Sequence, residues 1–279
     1  MGKARLVLLG AVLFLITLPR GFCQSIDEFT WTVSGSGSDQ FVTITGYTGS
    51  AADIVIPEKI NNIPVKAVGE EAFYDRRTIV SVRLPAGLTA IGYRAFEHCR
   101  ALASITIPEG VSEIPARAFY YCQALASVSI PANIKSIGAY AFERTAITSF
   151  TIPSGVTAIG DSTFRGCEKL ESLVIPSSVT SIGRRAFMTC VSLTSLTLPE
   201  GITAIPFSAF YGCRALAKIN IPGSVTSIGE TAFRNCVSLT SISIPPSVTD
   251  MGKRVFAGCT NIDPAVQAEI ESRFGDLFT

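Results

Sequence analysis

One histidine, eight cysteines and scattered carboxylates are the side chains of this sequence that could do nucleophilic, acid–base or metal chemistry. With His98 as the only histidine, a three-histidine zinc site is excluded, and a Ser-His-Asp triad would have to use His98. His98 lies two residues after Phe96 in a repeated unit described below, where we expect a surface residue rather than a catalyst.

Carboxylate pairs are the remaining basis for an enzyme. Glu109 and Glu200 occupy the same position of the repeated unit but lie four units apart, about 19 Å at strand spacing. Glycosidases need their two carboxyl groups roughly 5–9.5 Å apart. Glu168 and Glu171 are close in sequence and read as a solvated edge. The sequence therefore predicts no enzymatic activity and no cofactor, and an enzyme acting on polysaccharide or peptidoglycan is the weakest hypothesis.

The cysteines after Cys23 recur once per repeated unit rather than in metal-binding pairs such as C-x2-C. They are Cys99, Cys122, Cys167, Cys190, Cys213, Cys236 and Cys259. Our leading interpretation is free thiols that act as small buried apolar groups. The alternative in an exported protein is disulfides between consecutive units, such as Cys99–Cys122, although seven is an odd number.

Composition excludes further classes of protein. Hydrophobic residues make up 47% and charged residues 16% of the 279 positions. This composition is that of a folded protein rather than of a disordered chain. Lys plus Arg is 23 and Asp plus Glu is 22, so the net charge of +1 argues against a nucleic-acid-binding protein.

Residues 1–23 read as a signal peptide, with Lys3 and Arg5 before an apolar run that Pro19 ends. Small residues at Gly21 and Cys23 place cleavage before Gln24. The alternative is a lipid anchor on Cys23. Removing the leader with its three basic residues changes the charge from +1 to −2. No later segment is long and apolar enough to span a bilayer. We predict an exported protein, secreted or at the cell surface, with the periplasm as the other compartment.

A unit of about 23 residues organises the rest of the chain, and each of its nine copies carries one phenylalanine expected in the core. The repeats are numbered one to nine by these residues: Phe73, Phe96, Phe119, Phe142, Phe164, Phe187, Phe210, Phe233 and Phe256. The spacing is 23 except between Phe142 and Phe164, where it is 22. The shorter unit is a local irregularity in pitch and a candidate bend.

No single unit can bury its own apolar residues, so the units must stack in parallel with about 4.8 Å between them. The sequence predicts a right-handed α/β-type solenoid over 57–262 with short parallel strands. Residues 24–56 contain a predicted β-hairpin cap, with Trp31 covering the first repeat. Residues 263–279 contain a predicted capping helix with Asp263 as N-cap and Gly275 as its end. Membrane contact by this helix is the less favoured alternative.

The pattern L-x-x-I-x-I-P-x-x-V-x-x-I-G-x-x-A-F-x-x-C resembles the BspA-like leucine-rich repeat family of bacteria. The units Leu193–Cys213, Leu216–Cys236 and Leu239–Cys259 match it almost position for position, and the resemblance covers roughly 57–262. Arg76 departs from the cysteine slot in the first unit, and Thr145 stands near it in the fourth. The resemblance implies a right-handed leucine-rich repeat fold and a secreted or surface protein. It also implies adhesion as a class of function, with the ligand left open.

Two surfaces are candidates for binding. The outward-facing strand positions hold serine and threonine residues that align from repeat to repeat as hydroxyl columns, for example those of Ser104 and Thr106. These columns can also be explained by a role in stabilising the parallel sheet. Tyrosine and arginine, the usual residues of binding hot spots, instead follow the core phenylalanines. We predict partner contacts at Arg83, Tyr120, Tyr121, Arg165, Tyr211, Arg214 and Lys218. The leading hypothesis is a non-enzymatic adhesion protein that binds an extracellular protein or a glycan. The second is an envelope or periplasmic scaffold without a host ligand.

Overall fold

The computed structural model of the protein describes residues 25–279, and the predicted signal peptide and the lipidation candidate Cys23 lie outside them. The N-terminal part contains a hairpin that docks onto the first repeat. This N-terminal part consists of short 3-10 helices at Ile26–Glu28 and Gly37–Asp39 and strands β1 Phe29–Ser34, β2 Phe41–Tyr47, β3 Asp53–Val55, β4 Lys59–Ile60 and β5 Ile63–Val68. Strands β1 and β2 form the hairpin. Strand β2 pairs antiparallel with β1 and parallel with β5, so the predicted hairpin is confirmed and continues the solenoid sheet.

Each following repeat contributes a three-residue strand and a two-residue strand, except the last, which contributes only a two-residue strand. The two strands are separate because the strand proline ends the first ladder. The longer strands are β6 Ser81–Arg83, β8 Ser104–Thr106, β10 Ser127–Ser129, β12 Ser149–Thr151, β14 Ser172–Val174, β16 Ser195–Thr197 and β18 Lys218–Asn220. The shorter strands are β7 Ala90–Ile91, β9 Glu113–Ile114, β11 Ser136–Ile137, β13 Ala158–Ile159, β15 Ser181–Ile182, β17 Ala204–Ile205, β19 Ser227–Ile228 and β20 Asp250–Met251.

The strand ladders are parallel and in register at the repeat spacing, as in the pairing of Ser127 with Ser104. They are interrupted between β10 and β12 and between β11 and β13, at the 22-residue unit. Further interruptions separate β7 from β9, β14 from β16 and β15 from β17, where the spacing is regular. The short unit therefore coincides with one break in pitch, but it does not explain every break.

The nine predicted core phenylalanines form one stacked column, and each is fully buried. Their ring centroids lie 5.2–5.9 Å apart, with interplanar angles of 14° or less. At the short unit, Phe150 packs at 5.2 Å from both Phe142 and Phe164. The solenoid and its phenylalanine core are confirmed.

The column is closed at its N-terminal end by Tyr47 and Phe29 rather than by Trp31. The Tyr47 ring lies 6.0 Å from Phe73, and Phe29 lies 5.1 Å from Tyr47. Trp31 is only partly buried, because β1 lies one strand further from the repeats than β2. The prediction that Trp31 covers the first repeat was wrong.

The C-terminal helix α1 spans Pro264–Phe274, as its capping residues predicted. The Asp263 carboxylate accepts a hydrogen bond from the Ala265 N–H, and Gly275 follows the helix with φ 77°. Ile270 is the buried residue of the helix. The phenylalanine column itself ends on Phe278, whose ring lies 5.5 Å from Phe256, so the tail after the helix also belongs to the cap.

The cysteines form a buried column of free thiols beside the phenylalanines. Each donates a hydrogen bond to the carbonyl of a core phenylalanine in the preceding repeat, as Cys122 does to Phe96 at 3.1 Å. Burial raises the pKa of Cys99 to about 12 and that of Cys122 well above its usual value. Such thiols stay protonated. Each gives its acceptor carbonyl a second hydrogen bond, in addition to the one from the backbone N–H three residues further on.

Candidate binding surface

The third side of each repeat is a turn rather than a strand. We define the turn segment as the eight residues from three before to four after each core phenylalanine, and the turn face as the surface they form. The positions two before and two after the phenylalanine have φ between 53° and 77° in every repeat. This conformation is costly for residues other than glycine, so it must be held by the surrounding hydrogen bonds.

Those hydrogen bonds join consecutive repeats and all run in one direction. The Phe96 N–H donates to the Ala118 carbonyl at 2.9 Å, and the His98 N–H donates to the Tyr120 carbonyl at 2.8 Å. The same pattern recurs along the solenoid, with N–H groups directed toward the next repeat. The ladder fixes the backbone that carries the turn-face side chains and aligns its peptide dipoles along the axis.

Tyrosine and basic residues are concentrated on the turn segments. Six of the seven tyrosines lie there, with thirteen Lys or Arg and eight Asp or Glu. Two of the acids are buried, so the excess of basic over acidic residues is larger among the exposed side chains of the turn face than in this count. The chain as a whole is close to neutral, so the turn face is the basic side of the molecule.

In repeats one to four, the tyrosines surround His98 in a continuous cluster that we call the aromatic ridge. Its residues are Tyr74, Tyr93, His98, Tyr120, Tyr121 and Tyr140. The His98 ring lies 6.0 Å from Tyr74, 5.7 Å from Tyr120 and 5.1 Å from Tyr121. Tyr120 and Tyr121 lie 4.5 Å apart. The ridge spans consecutive repeats, so the spacing of the repeats sets the distance between its rings in neighbouring repeats.

Arginines stack on the ridge and hold it in place. The Arg94 guanidinium lies 4.6 Å from the Tyr74 ring centroid, and that of Arg117 lies 5.0 Å from Tyr120 and 5.2 Å from Tyr140. Arg144 covers Tyr121 at 5.1 Å. Each such contact contributes about 0.5–1 kcal/mol at an exposed site, so the tyrosines are preorganised rather than loose.

Glu97 is the buried anchor of this network, with 2% of its side chain exposed. Its Oε2 lies 2.8 Å from Arg94 Nε, and its Oε1 lies 3.7 Å from His98 Nε2 and 3.9 Å from Arg117 Nη1. The hydrogen bonds that Arg94 donates to Glu97 raise the pKa of the Arg94 guanidinium. The carboxylate thus neutralises cations from two consecutive repeats beneath the tyrosines.

Glu143 repeats this arrangement two units further along. Its side chain is also 2% exposed, and its Oε1 lies 3.4 Å from Arg165 Nη1. Burial raises the pKa of this carboxyl against the lowering effect of the nearby arginines. Burial likewise raises the pKa of Tyr120. Among the described residues, Glu143 Oε2 and His98 Nδ1 have no hydrogen-bond partner.

The predicted partner-contacting residues do not form one cluster. Tyr120 and Tyr121 lie in the aromatic ridge, and Arg165 adjoins it through Glu143. Tyr211 lies in repeat seven, where Arg234 covers its ring at 5.8 Å and Asn235 donates to its hydroxyl. Arg214 is exposed in the same repeat. Arg83 and Lys218 belong to strands β6 and β18 and are exposed on the strand side.

Two expectations about the turn face were wrong. Residues directly after the core phenylalanine were expected to be exposed, but Glu97 and Glu143 are buried. His98 was expected at the surface, but only 22% of its side chain is exposed. In both cases the side chain leans onto the neighbouring repeat, where arginines and tyrosines cover it. The sequence did contain a signal of this burial: one arginine lies three residues before Glu97, and another directly follows Glu143.

The hydroxyl columns are exposed on the strand side, as predicted, from Ser104 and Thr106 onward. A shallow groove crosses them at the interruption between β14 and β16, lined at its margins by Glu171 and Glu200. These carboxylates precede and follow the strand ladder, and six residues separate their positions within the repeat.

Two features are absent from residues 25–279. No group of three or more histidine, cysteine or acidic side chains in this range could hold a metal ion. No helix in the same range is long and apolar enough to cross a membrane.

Comparison with known proteins identifies the repeats. The family model for the BspA type leucine-rich repeat region, in six copies, matches residues 46–171 and 157–272. A leucine-rich repeat protein from Bacteroides ovatus is 32% identical, with a TM-score of 0.81 over 87% of this chain. This chain spans 64% of that protein. The T. pallidum leucine-rich repeat protein is 26% identical, with a TM-score of 0.52 over 92% of this chain and 99% of its own. Among curated proteins, none matches.

Proposed function

From the premise that this chain belongs to the BspA-type leucine-rich repeat family, we propose that it is a non-enzymatic exported protein that binds an extracellular protein or glycan in adhesion. The turn face is the proposed binding surface, with the aromatic ridge at its centre. The family is one of bacterial surface-type repeat proteins, and binding to proteins or glycans is its general role.

The observation that carries this proposal is the placement of six of the seven tyrosines on one side of the solenoid. Tyrosine and arginine are enriched in binding hot spots because they bury a large area with few rotatable bonds. A structural role alone would not require these rings at or near the surface, since the core is already filled by the phenylalanine column.

Export supports the same function. A signal peptide over 1–23 would deliver the chain beyond the membrane, where an adhesion surface is useful. The buried thiols are compatible with an oxidising compartment. Burial raises the pKa of thiols such as Cys122 and Cys190 and keeps them protonated and therefore unreactive.

A scan for saturable binding tests the function. Labelled chain from Gln24 to Thr279 is applied to a panel of matrix proteins, glycans and intact cells, with unlabelled chain as competitor. We expect saturable, competed binding to at least one panel member, because many modest contacts along the turn face add up. Binding to none of them would contradict adhesion and favour the envelope scaffold, for which protection from external protease is the next measurement.

A further inference from the structure

The turn face of repeats six to nine differs in charge from the aromatic ridge. Its turn segments carry six Lys or Arg and one acid, Glu230, whereas those of repeats one to five carry seven of each sign. We call five of these cations the basic stripe: Arg184, Arg185, Arg214, Arg234 and Lys253. The sixth, Arg254, is set apart because its Nε donates to the Thr279 carbonyl oxygen.

The cations of the basic stripe lack the carboxylates that neutralise the ridge. Within residues 25–279, every ion pair of the turn face involves Asp75, Glu71, Glu97 or Glu143, all in repeats one to four. No carboxylate of this range lies within 4.0 Å of a side-chain nitrogen of the stripe. The Asp161 carboxylate does accept a hydrogen bond from the Arg184 backbone N–H at 2.7 Å. The positive charge of repeats six to nine is therefore available to an external anion.

In the basic stripe, positively charged guanidinium groups lie close to one another over aromatic rings. The guanidinium carbons of Arg184 and Arg185 lie 5.1 and 4.9 Å from the centroid of the same ring, Phe207. Arg234 covers Tyr211 in the same manner. Stacking fixes the planes of these guanidinium groups and leaves their N–H edges free for bidentate contacts with carboxylate or sulfate.

We propose that the basic stripe binds a linear polyanionic polysaccharide, carrying carboxylate or sulfate groups, that lies along the solenoid axis. Its cations occur in four consecutive repeats, which suits a polymer with regularly recurring charge.

An extended acidic peptide fits less well. The N–H groups of the turn ladder already donate to the next repeat, so a peptide backbone would find few partners beside the stripe. The proposal rests on the proposed binding function but on residues outside the aromatic ridge.

Titration of the Gln24–Thr279 chain with heparin and with polygalacturonate tests this inference, with dextran as the uncharged control and poly-glutamate as the peptide arm. We expect binding to at least one anionic polysaccharide and none to dextran. Added salt should weaken that binding, since it reverses counterion release. Failure to bind either polysaccharide would overturn the proposal and would leave the panel result for the ridge standing. Equal or tighter binding of poly-glutamate would replace the polysaccharide by an acidic peptide.

Two matched variants locate the site. The stripe variant carries Arg184→Ser, Arg185→Asn, Arg214→Ser and Arg234→Ser, with asparagine chosen because it tolerates the positive φ at position 185. The control carries Lys59→Ser, Lys66→Ser, Lys135→Ser and Lys169→Ser, all exposed positions outside the turn segments. The stripe variant should lose at least about tenfold in affinity, and the control should keep its affinity. Equal losses would show a net-charge effect and overturn the site.

A gain-of-function variant keeps the test decisive if the fourfold variant does not fold. Glu230 is exposed and is the single acid among the turn segments of these four repeats. Glu230→Lys should tighten polysaccharide binding severalfold. Unchanged or weaker binding by this folded variant would contradict the stripe.

Discussion

Replacing Phe187 with alanine should lower the free energy of unfolding by about 3–5 kcal/mol. The side chain is fully buried and stacks between Phe164 at 5.9 Å and Phe210 at 5.3 Å. Its removal leaves a cavity in the middle of the column, where the inter-repeat ladders on both sides oppose collapse. Denaturant unfolding followed by circular dichroism measures the change.

Val174→Ala is the control for that measurement, because this side chain is 57% exposed on strand β14. Its effect should stay within about 0.5 kcal/mol, as for most surface substitutions. A loss below about 1 kcal/mol at Phe187 would mean that the column tolerates gaps, and the account of the core would be wrong.

Glu97→Ala should be the second most damaging change, with a loss of about 1.5–3 kcal/mol. The substitution removes a buried carboxylate, so that Arg94 keeps only its exposed partner Glu71 and Arg117 loses its anion. The loss stays below that for a fully buried unpaired charge because both arginines are partly exposed. Thermal and denaturant unfolding of the variant measure the loss.

Glu71→Ala provides a matched comparison because Glu71 pairs with the same guanidinium of Arg94. The Glu71 side chain is 42% exposed, against 2% for Glu97. Its removal should cost no more than about 1 kcal/mol, as for surface ion pairs. Similar losses in the two variants would refute the role of Glu97 as a buried anchor.

The solenoid could be predicted from the sequence because its core residues recur at a nearly constant spacing along the chain. The spacing of phenylalanine, proline and cysteine fixes which side chains stack, and capping residues such as Asp263 mark the final helix. Trp31 shows where this reasoning fails. Choosing between Trp31 and Tyr47 required knowing that β2, and not β1, pairs with the first repeat.

The candidate site was predicted only in part for a similar reason. Composition identified tyrosine and arginine after the core phenylalanines as binding residues. Burial of Glu97 and His98 depends on side chains from the neighbouring repeats, Tyr120 and Arg117 among them. A pattern read one repeat at a time cannot show such contacts, and it therefore placed these residues at the surface.

The separation of Tyr120 from Tyr211 also follows from the stacking. These residues are four repeats apart, about 19 Å at 4.8 Å per repeat. The predicted turn-face residues thus belong to two parts of that face, one in the neutral ridge region and one in the region of the basic stripe, while Arg83 and Lys218 lie on the strand side.

The central claim is that the turn face, and not the strand side, binds the partner. The most direct measurement compares two variants on the panel member that the unmodified chain binds. The turn-face variant carries Tyr120→Ser, Tyr121→Asn, Tyr211→Ser and Arg214→Ser. The strand-side variant changes Ser104, Ser127, Ser172 and Ser195 to lysine. We predict that the first variant stays folded and loses at least about tenfold in affinity, while the second binds as the unmodified chain does. Unchanged binding by the folded turn-face variant, with loss in the strand-side variant, would contradict the claim.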